Sequence, residues 1–153
     1  MEVDPSAKRL RLHDPANWQV PTGAVTAPVR FERGHAFIDT NLTLPSGERL
    51  AMPMHLDTGM SAALALVVGN PPALTMPERG EVISSCYVGS VREDRLGPPV
   101  TVEIGGARFA DVTPRYSQPG ERPSLQERGA VGSGVLSTRR YAIDYPGKRL
   151  VFL

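Results

Sequence analysis

The segment LAMPMHLDTG, residues 50–59, constrains the fold of this chain more than any other part of the sequence. Its alternate positions are apolar, which predicts a strand with one face buried against a core. The residues of that face are Leu50, Met52, Met54 and Leu56. The strand ends at Asp57, and Thr58 and Gly59 follow it. Asp and Gly are common turn residues, so the tripeptide by itself indicates a turn as readily as a catalytic site.

The rest of the chain favours short strands and turns. Its 15 glycines and 15 prolines interrupt the sequence too often for long helices. A brief helix is predicted from about Val135 to Arg140, whereas SAALALVV, residues 61–68, fits either a strand or a helical turn. Alternating patterns around turn residues predict further pairs of strands in residues 27–44, 81–96, 100–116 and 141–153.

Length and charge limit the organisation of the chain and its partners. The 153 residues fit one domain. Residues 1–24 mix charge, proline and turn residues without a sustained period, which predicts a loosely ordered arm and leaves residues 25–153 as the domain. The 17 basic and 16 acidic residues are mixed along the chain and give a net charge of +1, so a nucleic-acid partner is not expected.

Cysteine content and hydropathy exclude further classes. Cys86 is the only cysteine, so the chain forms no intrachain disulfide and no Cys-based structural zinc site. No apolar run approaches the roughly 18 residues that cross a bilayer, so no membrane span is expected. The sequence as written predicts a soluble protein, cytoplasmic, or periplasmic or secreted if a signal peptide has been removed. The compartment therefore stays open.

A second motif gives Asp57-Thr58-Gly59 a more specific context. The apolar pair and glycine Ala130-Val131-Gly132 occur about 70 residues later, before the predicted short helix. The two motifs occur together by chance much more rarely than either does alone. Between them, SSCYVGSVRED forms a predicted hairpin, and YAIDYPGKRLVFL ends the chain with a strand, a turn and a strand.

In this order of motifs the chain resembles the retropepsin-like aspartic proteases, from about Pro28 to Leu153. The segments that carry the resemblance are HLDTGMS, SSCYVGSVRED, GAVGSGVLSTRR and YAIDYPGKRLVFL, the last being very like the ending of bacterial aspartyl-protease-family domains. The resemblance implies an all-β fold, a retropepsin-like β-barrel with one short helix near the C-terminus. It also implies an aspartic endopeptidase whose catalytic residue is Asp57.

The resemblance assigns roles to three groups of residues. Thr58 and Gly59 would shape the active-site turn, and in the family the threonine bonds across two halves of the site. The apolar-Gly motif would pack beneath that turn. It also fits a core strand followed by a helix cap at Ser133, and the two interpretations can hold together. Tyr87, Val88 and Gly89 would lie at the tip of a flap over the substrate, although an ordinary exposed hairpin is equally compatible with the pattern.

The chemistry of such a site requires two carboxyl groups. One carboxylate takes a proton from water while a second carboxylic acid polarises the peptide carbonyl, and neither a metal nor a cofactor is needed. The chain has one Asp-Thr-Gly motif: Asp39 lacks the glycine, and Asp144 is predicted within a strand. The second carboxyl must then come from another copy of the chain. A homodimer acting on a peptide or protein substrate is therefore expected.

Two other functions remain open on the sequence alone. A retropepsin-like module without catalysis would bind a peptide or another domain through the same cleft, and a structural dimerisation unit would keep the turn for packing. Met60 bears on this choice, because the family usually has Ala or Ser there, and Met is larger. His55 is read as a packing or surface residue, and no histidine pair at helical or loop spacing indicates a metal site.

Overall fold

A computed structural model of the chain describes residues 1–87, 90–119 and 129–153. Within these ranges no helix is long and apolar enough to cross a membrane. The elements are β1 Glu2–Asp4, β2 Arg9–Arg11, β3 Val25–Glu32, β4 His35–Thr43, β5 Arg49–Asp57, β6 Leu64–Val67, β7 Val82–Tyr87, β8 Ser90–Leu96, β9 Val100–Ile104, β10 Ala107–Val112, β11 Pro114–Ser117, β12 Ala130–Gly132, α1 Ser133–Leu136, β13 Tyr141–Asp144 and β14 Arg149–Phe152.

The alternating segment forms β5, as predicted. It pairs with β4 in antiparallel register, with Ile38 opposite Met54 and Leu42 opposite Leu50. The predicted apolar face is buried throughout, since at most 9% of the surface of any of these side chains is exposed: Leu50, Met52, Met54 and Leu56. All four side chains belong to the hydrophobic core, and burial of each contributes about 1.5–3 kcal/mol.

The sheet is mixed, and the parallel pairing of β5 with β12 brings the two motifs together. The hydrogen-bonded order of strands is β2-β1-β13-β14-β3-β4-β5-β12-β6-β11-β8-β7, with β9 and β10 branching from β4. β12 runs parallel to β5 and antiparallel to β6, and β11 runs parallel to β6. Although β5 and β6 are consecutive in the chain, β12 is inserted between them. The connection from β5 to β6 must therefore pass over the end of β12.

Most of the other predicted elements are confirmed. The hairpins β7–β8, β9–β10 and β13–β14 occur where the alternating patterns place them. The segment that fitted either a strand or a helical turn contains the strand β6. The helix was predicted two residues too late and ends earlier than expected, at Leu136. Beyond it the backbone bonds from Thr138 and Arg139 reach back only three residues, so the chain continues as turns.

The segment predicted as an arm carries a strand of the main sheet. β1 pairs with β13, and the amino group of Met1 donates to the carbonyl of Ile143 at 3.0 Å. Glu2 is buried, and its carboxylate accepts hydrogen bonds from Arg140 at 2.6 and 3.0 Å and contacts His13 at 3.0 Å. The division at residue 24 remains a prediction, but β1 is docked on the domain through these contacts.

Protonation of Glu2 is expected to weaken this docking in acid. Burial by itself would raise the pKa of Glu2, but hydrogen bonds from Arg140 and His13 outweigh it and lower the pKa below its ordinary value of 4.5. A carboxyl group whose pKa is lower in the folded than in the unfolded state stabilises the fold at pH values above its unfolded-state pKa. This contribution is lost as the pH falls through the folded-state pKa. A Glu2→Gln variant should therefore unfold more easily than the wild type at pH 7, with the difference shrinking below about pH 4.5.

Urea unfolding at several pH values measures this effect, at one fixed protein concentration. Glu48→Gln is the control, because Glu48 is exposed in the turn between β4 and β5. A Glu2→Gln deficit of the same size at pH 7 and at pH 3 would contradict the assigned role of the carboxylate.

Candidate active site

Asp57 and Gly132 are neighbours at the ends of two parallel strands. The register of β5 and β12 places Ala130 beside His55, Val131 beside Leu56 and Gly132 beside Asp57. The two motifs, about 70 residues apart in the sequence, thus meet at one edge of the sheet. Ala130 and Val131 are buried, whereas Asp57 is only partly buried. The apolar-Gly motif supports the strand end that presents the carboxylate.

The backbone after Asp57 folds back onto its carboxylate. The amide of Gly59 donates to Asp57 Oδ1 at 3.0 Å, and the amide of Met60 donates to the Asp57 carbonyl at 3.3 Å. A hydrogen bond from a backbone amide fixes the orientation of a carboxyl group. Thr58 is exposed at the tip of the turn. The geometry presents one oriented carboxylate on an accessible turn.

The turn is tied to the start of α1. Both the backbone amide and the hydroxyl of Ser133 donate to the Met60 carbonyl, each at 2.8 Å, and the amide of Gly132 donates to the Ala63 carbonyl at 3.0 Å. Ser133 is the first residue of the helix and Gly132 is its N-cap, so the reading of Ser133 as the cap is wrong. Its hydroxyl donates to the Met60 carbonyl of the Asp57 turn instead, because that turn passes directly over the helix start.

Asp39 and Asp144, which lie outside the Asp-Thr-Gly motif, are each paired with an arginine. Asp39 forms a two-pronged ion pair with Arg30 at 2.6 and 2.9 Å. Asp144 accepts from the amide of Gly147 at 3.0 Å and from Arg149 at 2.7 Å. Burial alone would raise the pKa of Asp144, but these hydrogen bonds lower it. Both carboxylates are thus used in contacts away from the Asp57 turn.

A histidine pair lies beside Asp57, and sequence reasoning missed it. His55 shares a face of β5 with Asp57, and its Nε2 lies 3.3 Å from His35 Nδ1. Burial lowers the pKa of His55, the Asp57 carboxylate raises it and His35 lowers it, with a net decrease. The two histidines are 20 residues apart and meet only because β4 pairs with β5. A search for histidines at helical or loop spacing does not find such a cross-strand pair.

The predicted flap corresponds to the hairpin β7–β8. Its strands pair from Val82 opposite Arg95 to Tyr87 opposite Ser90. Val88 and Gly89, which were expected at its tip, lie outside the described residues. β8 also pairs with β11, which in turn pairs with β6, the strand that follows the Asp57 turn. The hairpin and the turn therefore belong to one hydrogen-bonded part of the sheet.

A buried ion pair between β8 of the hairpin and the neighbouring strand β11 was also missed. Arg115 Nε lies 3.1 Å from Asp94 Oδ2, and the side chains are 15% and 0% exposed. Asp94 belongs to the hydrophilic run REDR, which by composition reads as a solvated strand. No local pattern separates it from its exposed neighbour Glu93, because its burial depends on a strand 20 residues later.

Comparison with known structures agrees with the motifs. A retropepsin-like aspartic protease from Rickettsia conorii superposes with a TM-score of 0.57 and 16% sequence identity, over 88% of this chain and 95% of that one. No family model and no curated protein matches the sequence. The fold is therefore that of the retropepsin-like proteins, an all-β fold with one very short helix near the C-terminus, and the resemblance inferred from the motifs is confirmed at the level of the fold.

Proposed function

We propose that this chain is an aspartic endopeptidase that acts as a homodimer, with Asp57 as the catalytic residue of each subunit. The observation that carries the proposal is the oriented carboxylate of Asp57. It lies on an accessible turn held by Gly59 and by β12 within a retropepsin-like fold. Only one such turn occurs in the sequence, so the second carboxyl group comes from a second copy.

Catalysis in the dimer follows from the proximity of the two carboxyl groups. At a separation of about 3 Å the two groups share one proton, because two adjacent negative charges repel each other strongly. The ionised member takes a proton from water, which attacks the peptide carbonyl, and the protonated member donates to the carbonyl oxygen. In each subunit the Gly59 amide orients the Asp57 carboxyl group. Cleavage is lost at high pH, when the shared proton leaves the pair.

The hairpin β7–β8 supplies the second part of the proposed site. Extended peptides bind to proteins through backbone hydrogen bonds, and a hairpin that covers the cleft offers such groups. Tyr87, Val88 and Gly89 are proposed to contact the substrate from this side. Thr58, exposed on the turn, is proposed to hydrogen bond across the dimer axis, where its partner is the other copy of the turn.

The dependence of cleavage on protein concentration tests the proposal. A mixed peptide library, analysed by mass spectrometry, should be cleaved with a specific activity that rises with protein concentration until the dimer dominates. Sedimentation over the same range should place the transition from monomer to dimer at the same concentration. A chain that stays monomeric and binds peptides without cleaving them would instead be a binding module, and the proposal would be rejected.

A further inference from the structure

The ion pair of Arg115 and Asp94 is buried, with side chains that are 15% and 0% exposed. Removing two charges from water carries a desolvation penalty that their attraction often only balances, so such a pair is weak evidence of a gain in stability. Its geometry is more informative than its energy. Asp94 has 2% of its surface exposed, which leaves its carboxylate little freedom to move. The guanidinium group of Arg115 is therefore held in one place.

The same guanidinium contacts two further segments. Nη1 of Arg115 donates to the hydroxyl of Ser85 at 3.2 Å, and Nη2 lies 3.5 Å from the sulfur atom of Met60. Ser85 belongs to β7 and Asp94 to β8, so Arg115 contacts both strands of the hairpin. A guanidinium group presents its donors in a rigid plane, and contacts to three segments fix their relative positions.

Met60 connects these contacts to the Asp57 turn. Its amide donates to the Asp57 carbonyl, and its own carbonyl accepts from Ser133. A Cβ atom built on Gly132 would lie 2.7 Å from the Met60 methyl group, so this side chain packs against the strand that supports Asp57. A continuous series of contacts runs from the hairpin through Arg115 and Met60 to the turn.

We propose that Arg115 is a positioning residue, which sets the distance between the hairpin β7–β8 and the turn that carries Asp57. This inference rests on the proposed function, because it explains how a peptide bound under the hairpin is presented to the catalytic carboxylates. It also gives Met60 a role. Met is larger than the Ala or Ser usual at this position in retropepsin-like sequences, and its sulfur atom is the contact by which Arg115 reaches the turn.

The substitution Arg115→Lys keeps the charge beside Asp94 and removes the planar fork. The expected result is a rise in KM for a cleaved peptide of about tenfold, the size that loss of a charge-assisted hydrogen bond gives, with kcat nearly unchanged. A purely structural role would reduce the fraction of active protein and hence the apparent kcat, leaving KM alone. Arg108→Lys is the matched control, because Arg108 is exposed on β10. Equal KM values for the two variants would overturn the inference.

Met60→Leu tests the connection to the turn and keeps both the ion pair and the volume of the side chain. This variant alone should raise KM about threefold, because it removes only the weak contact between Arg115 and the sulfur atom of Met60. Combined with Arg115→Lys it should add little, because the first substitution already breaks the same series of contacts. Effects that multiply fully in the double variant would show that the two residues act independently, and the inference would fail.

A measurement without catalysis separates this inference from the proposed function. Cys86 is the only cysteine, and it is exposed on β7, so a nitroxide label attached there reports on the hairpin alone. Arg115→Lys and Met60→Leu should each narrow the electron paramagnetic resonance lines of the label, because the hairpin becomes more mobile, whereas Arg108→Lys should not. A preparation that cleaves no peptide yet shows this change would reject the protease and retain the positioning contact. Cleavage without any change in the label would reject the contact and retain the protease.

Discussion

Asp57→Asn is expected to abolish peptide cleavage and to leave the fold intact. The carboxamide keeps the shape of the side chain, and its oxygen can still accept from the Gly59 amide, which donates to Oδ1 at 3.0 Å in the wild type. It cannot exchange a proton with water or with the carbonyl oxygen. General acid and base catalysis contributes about 10²–10⁴-fold for each group, and the variant dimer lacks both. Cleavage of the peptide library should fall by at least about 10⁴-fold.

Asp39→Asn is the matched control for this experiment. Asp39 also precedes a threonine, but its side chain pairs with Arg30 on the surface of β3 and β4. An exposed ion pair contributes little to stability, so this variant should retain normal cleavage. If the Asp57 and Asp39 variants cleave equally fast, Asp57 is not the catalytic residue. Circular dichroism on both variants shows whether the fold is retained.

Mixed dimers test whether the two Asp57 carboxyl groups of a dimer act together. When wild-type and Asp57→Asn chains are unfolded together and refolded in equal amounts, about a quarter of the dimers carry two wild-type subunits. Activity per wild-type chain should therefore fall to about half, because the mixed dimers lack one carboxyl group. Activity that stays constant per wild-type chain would show that each subunit works alone.

The sequence predicted the fold well because its strongest signals are local. The apolar face of β5 and the turns of the hairpins are specified by residues within a few positions of one another, and the structure places them accordingly. The Asp-Thr-Gly and Ala-Val-Gly motifs are also local. Their resemblance to retropepsin-like sequences placed the second motif beneath the first, and the parallel pairing of β5 with β12 brings them together. Helix α1 was misplaced by two residues because four residues give too short a period to locate its ends.

The unpredicted parts of the site all depend on contacts across strands. His35 meets His55 through the register of β4 and β5, and Asp94 is buried by Arg115 from another strand. Neither register nor burial can be read from one strand alone, because a hydrophilic residue gives the same pattern whether it is solvated or paired in the interior. The contact of Met60 could not be predicted for the same reason, since its sulfur atom lies beside a residue 55 positions later.

Gly132→Ala is expected to have the largest effect on stability. A Cβ atom at this position would lie 2.2 Å from the Ala62 carbonyl oxygen and 2.7 Å from that of Met60. Both atoms belong to the backbone of the segment that leads from Asp57 to β6, so they cannot move aside as a flexible side chain can. The φ angle of Gly132 is −108°, which alanine adopts without strain, so the cost is one of space. Overpacking of this kind costs about 1–3 kcal/mol or more.

Gly47→Ala separates this steric effect from the general cost of replacing a glycine. Gly47 has a φ angle of +86° in the turn between β4 and β5, and a Cβ atom there meets nothing within 4 Å. Its replacement should cost about 1–2 kcal/mol, from backbone strain alone, and should leave cleavage unchanged.

Gly132→Ala should lower the urea midpoint further and should also reduce cleavage under conditions where the protein is folded, because the displaced segment carries the amides that orient Asp57. The prediction fails if Gly132→Ala is folded, fully active and at least as stable as Gly47→Ala. That result would mean that β12 does not pack against the Asp57 turn as closely as these distances require.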